Sequence, residues 1–217
     1  MSKIKEIKDI KHAFYINLLE RVDRKIDVEQ ELLKIGIFGE RFNAIKMDNG
    51  AIGCSMSHLK CLQIAYTNKY DHVFICEDDI TFLQPELFKT QLNKFLEKNN
   101  WDVILLAGNV VPPFNKVDDC CIKVKKCQTT TGYIVNGHYI KTLMDNIKMG
   151  LTHLIKNPEK HILFAIDKFW FHLQEKDQWY LIIPLTVIQK PGYSDIEKRI
   201  TNYSKLLTDL EKTYTRL

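Results

Sequence analysis

The chain has 217 residues, is 45% hydrophobic and 27% charged, and carries a formal net charge of +4. That is the balance of an ordinary globular domain, not of a disordered or fibrous chain, and the length suits one domain with a full core. The positive charge is mild and dispersed; its densest group, Lys123, Lys125 and Lys126, reads as the solvated face of a strand, so nucleic acid is not an expected partner.

No run approaches the roughly 20 apolar residues of a membrane span, and the charged segment Met1–Lys11 lacks the apolar core of a secretory signal. Six cysteines without a C-x-x-C pair fit free thiols in a reducing compartment. The expectation is a cytoplasmic protein without a transmembrane segment, free or peripheral to a membrane.

In chain order, Ala13 to Leu18 reads as a first strand and Arg21 to Ile35 as an amphipathic helix stopped by Gly36. Asn17, Arg21 and Arg24 stand at their junction. Arginine suits phosphate recognition through its planar fork of donors, although both arginines equally fit a solvated helix face. Arg41 to Ile45 reads as a second short strand. The stretch Gly50 to His58 reads as a glycine-containing loop leading into a helix that runs to about Asn68, with Ser55 or Ser57 as cap. Such a loop can receive an anion, but it matches neither phosphate-loop pattern. His58 by itself reads as a structural histidine.

The most informative stretch is His72-Val73-Phe74-Ile75-Cys76-Glu77-Asp78-Asp79-Ile80. Val73 to Cys76 is apolar without alternation, as a strand buried on both faces is. Three carboxylates at its end repel one another unless a cation or donors offset them. In open α/β sheets, ligands bind beyond the carboxyl ends of strands. The stretch therefore points to a divalent cation and a phosphorylated ligand.

Pro85 opens the next helix, and Asp102 to Ala107 reads as another buried strand. This β-α-β alternation predicts an α/β fold: a mixed, mostly parallel sheet flanked by helices. Cys121 to Cys127 and Thr129 to Val135 read as an antiparallel strand pair, Gly137 to Lys148 as a helix, and Trp179 to Ile188 as a last strand interrupted by Pro184, at an edge or as a short pair. Asp167 is the one acid in the apolar run His161–Leu173, either paired structurally or poised for chemistry. In the tail, Ile196, Ile200, Tyr203, Leu207, Leu210, Tyr214 and Leu217 follow a heptad-like spacing. They predict a C-terminal amphipathic helix over 196–217, packed on its own domain or against a second copy in a homodimer. Residues 1–195 read as a single domain.

Taken in order, several of these pieces resemble glycosyltransferase family 25, which includes bacterial lipooligosaccharide sugar transferases and collagen galactosyltransferases. They are Tyr15-Ile16-Asn17-Leu18 with Arg21 and Arg24, Gly53-Cys54-Ser55-Met56-Ser57-His58, Phe74-Ile75-Cys76-Glu77-Asp78-Asp79, Trp101 to Leu105, Thr131 to Val135, Ile166-Asp167, and Gln189 with Ser194-Asp195-Ile196. Ala165 stands where a proline is expected near Asp167. The resemblance implies a GT-A-like nucleotide-diphosphate-sugar transferase fold and a Mn²⁺ or Mg²⁺ cofactor. It also implies transfer of a hexose, galactose or glucose, from a UDP-sugar, with inversion, to a saccharide or hydroxylysine-type acceptor.

On that resemblance, Glu77 and Asp79 would hold the cation, and Asn17, Leu18, Arg21, Arg24 and Asp78 would face the donor nucleotide. Gly53, Ser57 and His58 would shape the donor loop, with His58 also available to a metal or phosphate. Asp167 would be the catalytic base and Asp195 the second candidate. Two other functions fit acids at a strand end: a catalytically inactive UDP-sugar-binding module on the same fold, and a metal-dependent nucleotidyltransferase.

Overall fold

The computed structural model describes residues 4–98, 100–194 and 196–212. The amino-terminal half alternates strand and helix. In order come β1 (Ala13–Asn17), α1 (Val22–Lys34), β2 (Glu40–Asn43), α2 (Gly50–Thr67), β3 (His72–Glu77), β4 (Ile80–Phe82), α3 (Pro85–Lys98) and β5 (Val103–Leu105). Short strands β6 (Asn109–Val110), β7 (Asn115–Lys116), β8 (Cys121–Lys123) and β9 (Cys127–Gln128) lead to β10 (Gly132–Asn136) and α4 (Ile140–Lys156). Three short helices, α5 (His161–Phe164), α6 (Ile166–Phe169) and α7 (Phe171–Lys176), precede β11 (Trp179–Ile182), β12 (Val187–Gln189), β13 (Gly192–Ser194), β14 (Arg199–Thr201) and α8 (Ser204–Thr208).

The central sheet has eight strands in the order β2-β1-β3-β10-β5-β11-β8-β7. β1 runs parallel to β2 and β3, and β5 parallel to β11. Only β10 and β8 run against the rest. The fold is thus the mixed, mostly parallel α/β sheet that the strand–helix alternation predicts. The chain leaves β1 through α1 to reach β2 on one side, then returns through α2 to β3 on the other. The sheet therefore switches direction between β1 and β3, and the gap at their carboxyl ends is where such sheets take ligands.

Strand side chains alternate between the two faces. Phe14, Ile16, Val73 and Ile75 join Leu59, Leu62 and Leu143 in the core beneath α2 and α4. Tyr15, Phe74 and Cys76 join Val28, Leu32, Phe88 and Leu92 in the core beneath α1 and α3. A strand that feeds two cores has no polar face, which is why Val73 to Cys76 of β3 is apolar throughout.

Four expectations are corrected. The glycine-containing stretch after Asp48 is not a loop: α2 starts at Gly50, and its cap is Asn49, whose side chain accepts from the Ala51 and Ile52 N–H groups. Those donors are thereby occupied, so the helix end is not an open anion cradle, and Ser55 and Ser57 lie inside the helix. The stretch 121–127 bends at the exposed Lys125 and Lys126, so β8 pairs with β11 and β9 with β6, not with β10. The stretch 179–188 breaks at Pro184 as expected, and β12 beyond it forms a short pair with β4, but β11 lies inside the sheet and not at an edge. Finally, residues 196–212 do not form one amphipathic helix. β13 and β14 make a hairpin that places Ile200 on a strand, 78% exposed, and only Ser204–Thr208 is helical. Leu207 is buried and Leu210 packs on the central core, so these two seam residues serve their own domain. Tyr214 and Leu217 lie outside the described residues.

Candidate active site

The three carboxylates sit at the carboxyl end of β3, and the two-residue alternation of the strand sends neighbours apart. Glu77 falls on the α2 side. Its Oε1 accepts from Thr130 Oγ1 at 2.6 Å and lies 3.4 Å from His58 Nε2 and 3.6 Å from Cys54 Sγ. Its Oε2 accepts from Gln189 Nε2 at 3.1 Å. Burial works to raise the Glu77 pKa, but His58, Thr130 and Cys54 outweigh it and hold the group below the ordinary carboxylate range. His58 is fully buried, and its Nδ1 is bonded to the Tyr133 hydroxyl at 2.9 Å.

Asp78 falls on the α1 side. Asn17 Nδ2, at the end of β1, donates to Oδ2 at 2.8 Å, and Arg24, in the first turns of α1, donates to Oδ1 at 2.9 Å. Burial raises the Asp78 pKa, and these two partners oppose it. Arg24 also donates to the Tyr193 carbonyl at 2.7 Å, tying β13 to the switch point.

Asp79 is left with the fewest donors. Arg24 NH1 lies 3.7 Å from its Oδ2, while Oδ1 is buried with no hydrogen-bond partner. Burial first, then the Glu77 charge, pushes its pKa up to about 8. A buried carboxylate oxygen without a donor is costly, and a divalent cation, which takes oxygen ligands, offsets that cost. The residues therefore fit a hard cation, with Asp79 as its free oxygen donor and Glu77 next to it.

Asp167, on α6, is close enough to Glu77 to feel its charge. Its Oδ2 accepts the Thr129 N–H at 3.1 Å. Burial pushes its pKa up, and the Glu77 charge adds to the effect. Thr129 itself has φ 82°, a left-handed conformation that costs a β-branched residue on the order of 1–3 kcal/mol; the Asp167 hydrogen bond secures it. Ala165 has φ −57° and ψ 147°, angles that proline adopts, so the backbone there has the shape of an X-Pro element without the ring.

The remaining sequence candidates are placed as follows. Leu18 occupies the turn after β1, where its carbonyl accepts from the Arg21 N–H at 3.0 Å. The Arg21 side chain turns outward onto Asp23. Gly53 faces the chain after β2, since a Cβ there would stand 2.4 Å from the Ile45 carbonyl oxygen. Ser57 Oγ donates to the Gly53 carbonyl and accepts the Ile45 N–H, each at 2.8 Å, bracing that same contact. Asp195 lies outside the described residues.

Sequence reasoning assigned no role to four residues of the site. Cys54 and Thr130 both contact Glu77, and Gln189 holds its second oxygen. Arg41, on β2, donates through Nε to Asn17 Oδ1 at 2.9 Å and has one terminal nitrogen buried without a partner. The i−4 spacing to His58 was the signal for Cys54. Nothing local marks Arg41, which reaches Asn17 only through strand register.

An α/β sheet with carboxylates at its switch point defines a class of ligand-binding folds, and comparison with known proteins narrows it. The model of glycosyltransferase family 25 (LPS biosynthesis protein) matches residues 45–170, more than half of the chain. The chain belongs to this family, and it is a glycosyltransferase. No curated protein matches it. Among solved structures, A197 from STIV is similar at TM-score 0.47 and 12% identity, covering 96% of this chain and 99% of that one. A Drosophila beta-1,4-galactosyltransferase 7 mutant in complex with manganese, UDP-Gal and xylobiose is similar at TM-score 0.43 and 12% identity, covering 95% and 77%. A glycosyltransferase involved in glycosylation of the major capsid of PBCV-1 is similar at TM-score 0.41 and 8% identity, covering 79% and 91%.

Proposed function

We propose that the protein is a metal-dependent, inverting hexosyltransferase. It would move galactose or glucose from a UDP-sugar to a hydroxyl of a saccharide or hydroxylysine-type acceptor. The observation that carries this reading is the buried, unpartnered Asp79 Oδ1 at the switch point of the sheet. Asp79, with Glu77 directly or through water, would hold a Mn²⁺ or Mg²⁺ ion for the donor diphosphate. When bound, that ion neutralises charge growing on the leaving nucleotide. Asn17 and Arg24 orient Asp78 toward the donor ribose, and Leu18 and Arg21 flank the nucleotide from the turn after β1. Gly53, Ser57 and His58 support the opposite wall.

Inversion requires the acceptor hydroxyl to attack from the face opposite the diphosphate, and a carboxylate to take its proton. Asp167 fills that role on three grounds. It is buried, burial raises its pKa above the ordinary carboxylate value, and its Oδ2 is oriented by the Thr129 N–H. Asp195 is the second candidate.

The test is a titration of Mn²⁺ into the protein with and without UDP, alongside a UDP-release assay over a panel of UDP-sugars. Asp79→Asn should lose Mn²⁺-dependent UDP binding and turnover while keeping its fold by circular dichroism. Metal-dependent turnover unchanged in that variant would sink the assignment. Metal and UDP binding without turnover by the unaltered chain would favour an inactive binding module, and pyrophosphate release from nucleoside triphosphates a nucleotidyltransferase.

A further inference from the structure

We propose that Cys54, His58 and Glu77 form a second cation site, suited to a borderline-soft divalent ion of the zinc and cobalt class and distinct from the hard-cation position at Asp79. Their ligand atoms, a thiol sulfur, an imidazole nitrogen and a carboxylate oxygen, lie within 4.8 Å of one another. Cys54 and His58 stand four residues apart on α2 and so share one helix face, the spacing by which a single helix can present two ligands to a metal. Glu77 closes the triangle from the end of β3, with Oε1 at 3.4 Å from His58 Nε2 and 3.6 Å from Cys54 Sγ.

The surroundings are those of a metal centre. Metal-bound histidines bond their other ring nitrogen to a fixed partner, and His58 Nδ1 meets the buried Tyr133 hydroxyl at 2.9 Å. Gln189 Nε2 fixes the second Glu77 oxygen, and Thr130 Oγ1 is bonded to the first. A sulfur–nitrogen–oxygen set favours zinc or cobalt over magnesium, and three protein ligands leave a fourth position open. Cys54 and the end of Glu77 are partly exposed, so an ion can enter from the cleft. An ion held there would share Glu77 with the hard-cation position. Ions of this class therefore compete with the arrangement that serves the donor.

Asp118, Cys120 and Cys121 also come together, and they supply the control. There Asp118 Oδ1 already accepts the N–H groups of Cys120 and Cys121, and both thiols are buried in the core under α3.

The experiment is a Co²⁺ titration of the donor-free protein, followed by absorption. The expected result is a near-ultraviolet sulfur-to-cobalt charge-transfer band, lost in Cys54→Ser and in Cys54→Ala, with Co²⁺ affinity weakened at least ~10-fold. Two variants guard against a folding defect in either one. The band should persist in Asp79→Asn and in the double variant Cys120→Ser, Cys121→Ser. Absence of the band overturns the proposal, as does its survival without the Cys54 sulfur or its loss in the double variant. Because no donor is present, this outcome is independent of whether Asp79 supports sugar transfer.

Discussion

At the scale of the residue, the site divides one charge problem among three adjacent acids. Glu77 is offset by four side-chain donors and Asp78 by Asn17 and Arg24, and Asp79 keeps an oxygen for which the protein provides nothing. Asp79, with its pKa pushed up to about 8 and an oxygen left over, is thus the one best placed to exchange a proton for a cation. Asp167 has a different job. It shares no hydrogen bond with the three acids, and a single N–H from the strained Thr129 orients it. Replacing Asp167 by Asn keeps the size and the accepting oxygen but removes the base. Donor affinity should stay within about twofold, while transfer falls by ~10²–10⁴-fold, the usual contribution of a positioned general base. The check is kcat against the dissociation constant for the UDP-sugar, and retained kcat removes Asp167 from the role.

At the scale of the element, α2 links the site to the sheet edge. Gly53 allows the chain after β2 to pass so close that an added Cβ would stand 2.4 Å from a backbone oxygen of Ile45. Two effects oppose each other at this position. Alanine is the better helix former by roughly 1 kcal/mol, but the clash is with backbone rather than a flexible side-chain end, and forced overpacking costs about 1–3 kcal/mol. The clash should win. Gly53→Ala is expected to lower the urea midpoint, and an equal or higher midpoint would show that the Ile45–Met47 segment moves away freely. Elements also show where sequence reading was sound. Pro85 opens α3, and Val73 to Cys76 is a strand segment buried on both faces. The tail misled because Ile196 and Ile200 keep helical spacing while they belong to a hairpin. Its anchors, Arg24 to the Tyr193 carbonyl and Lys190 to Asp27, lie far away in sequence.

At the scale of the whole molecule, one buried group ties stability to pH. His72 opens β3 at the end of the strand opposite the site and is buried. Its Nε2 accepts the Lys11 N–H at 3.1 Å. Asp71 Oδ1 lies 2.7 Å from Nδ1, and the His12 ring is 5.6 Å away. Burial lowers the His72 pKa below its ordinary 6.5, against the opposing pull of Asp71 and Asp9. A depressed histidine pKa means that below about 6.5 the unfolded chain binds a proton that the folded one refuses. Stability from this group is complete above that pH and declines as pH falls through the window beneath it. His72→Gln should flatten the change in urea midpoint between about pH 7.5 and pH 5.5. An identical slope in the variant would assign the pH dependence to other groups.

The sequence by itself determined the α/β class and the family, and it singled out Glu77-Asp78-Asp79 as like charges in succession and Asp167 as an acid out of place in an apolar run. These are local or periodic signals: apolar length, strand–helix alternation, like charges in succession. Only the tertiary structure decided which partner each acid takes, because that depends on strand order and on which face of the sheet each position meets. Glu77, at the end of β3, meets α2, and Asp78, just beyond it, meets α1, both at the switch point between β1 and β3. The roles of Arg41, Thr130 and Gln189 arise across 24 to 112 residues of chain. No local pattern can carry that information, since such contacts exist only once the sheet has closed the distance.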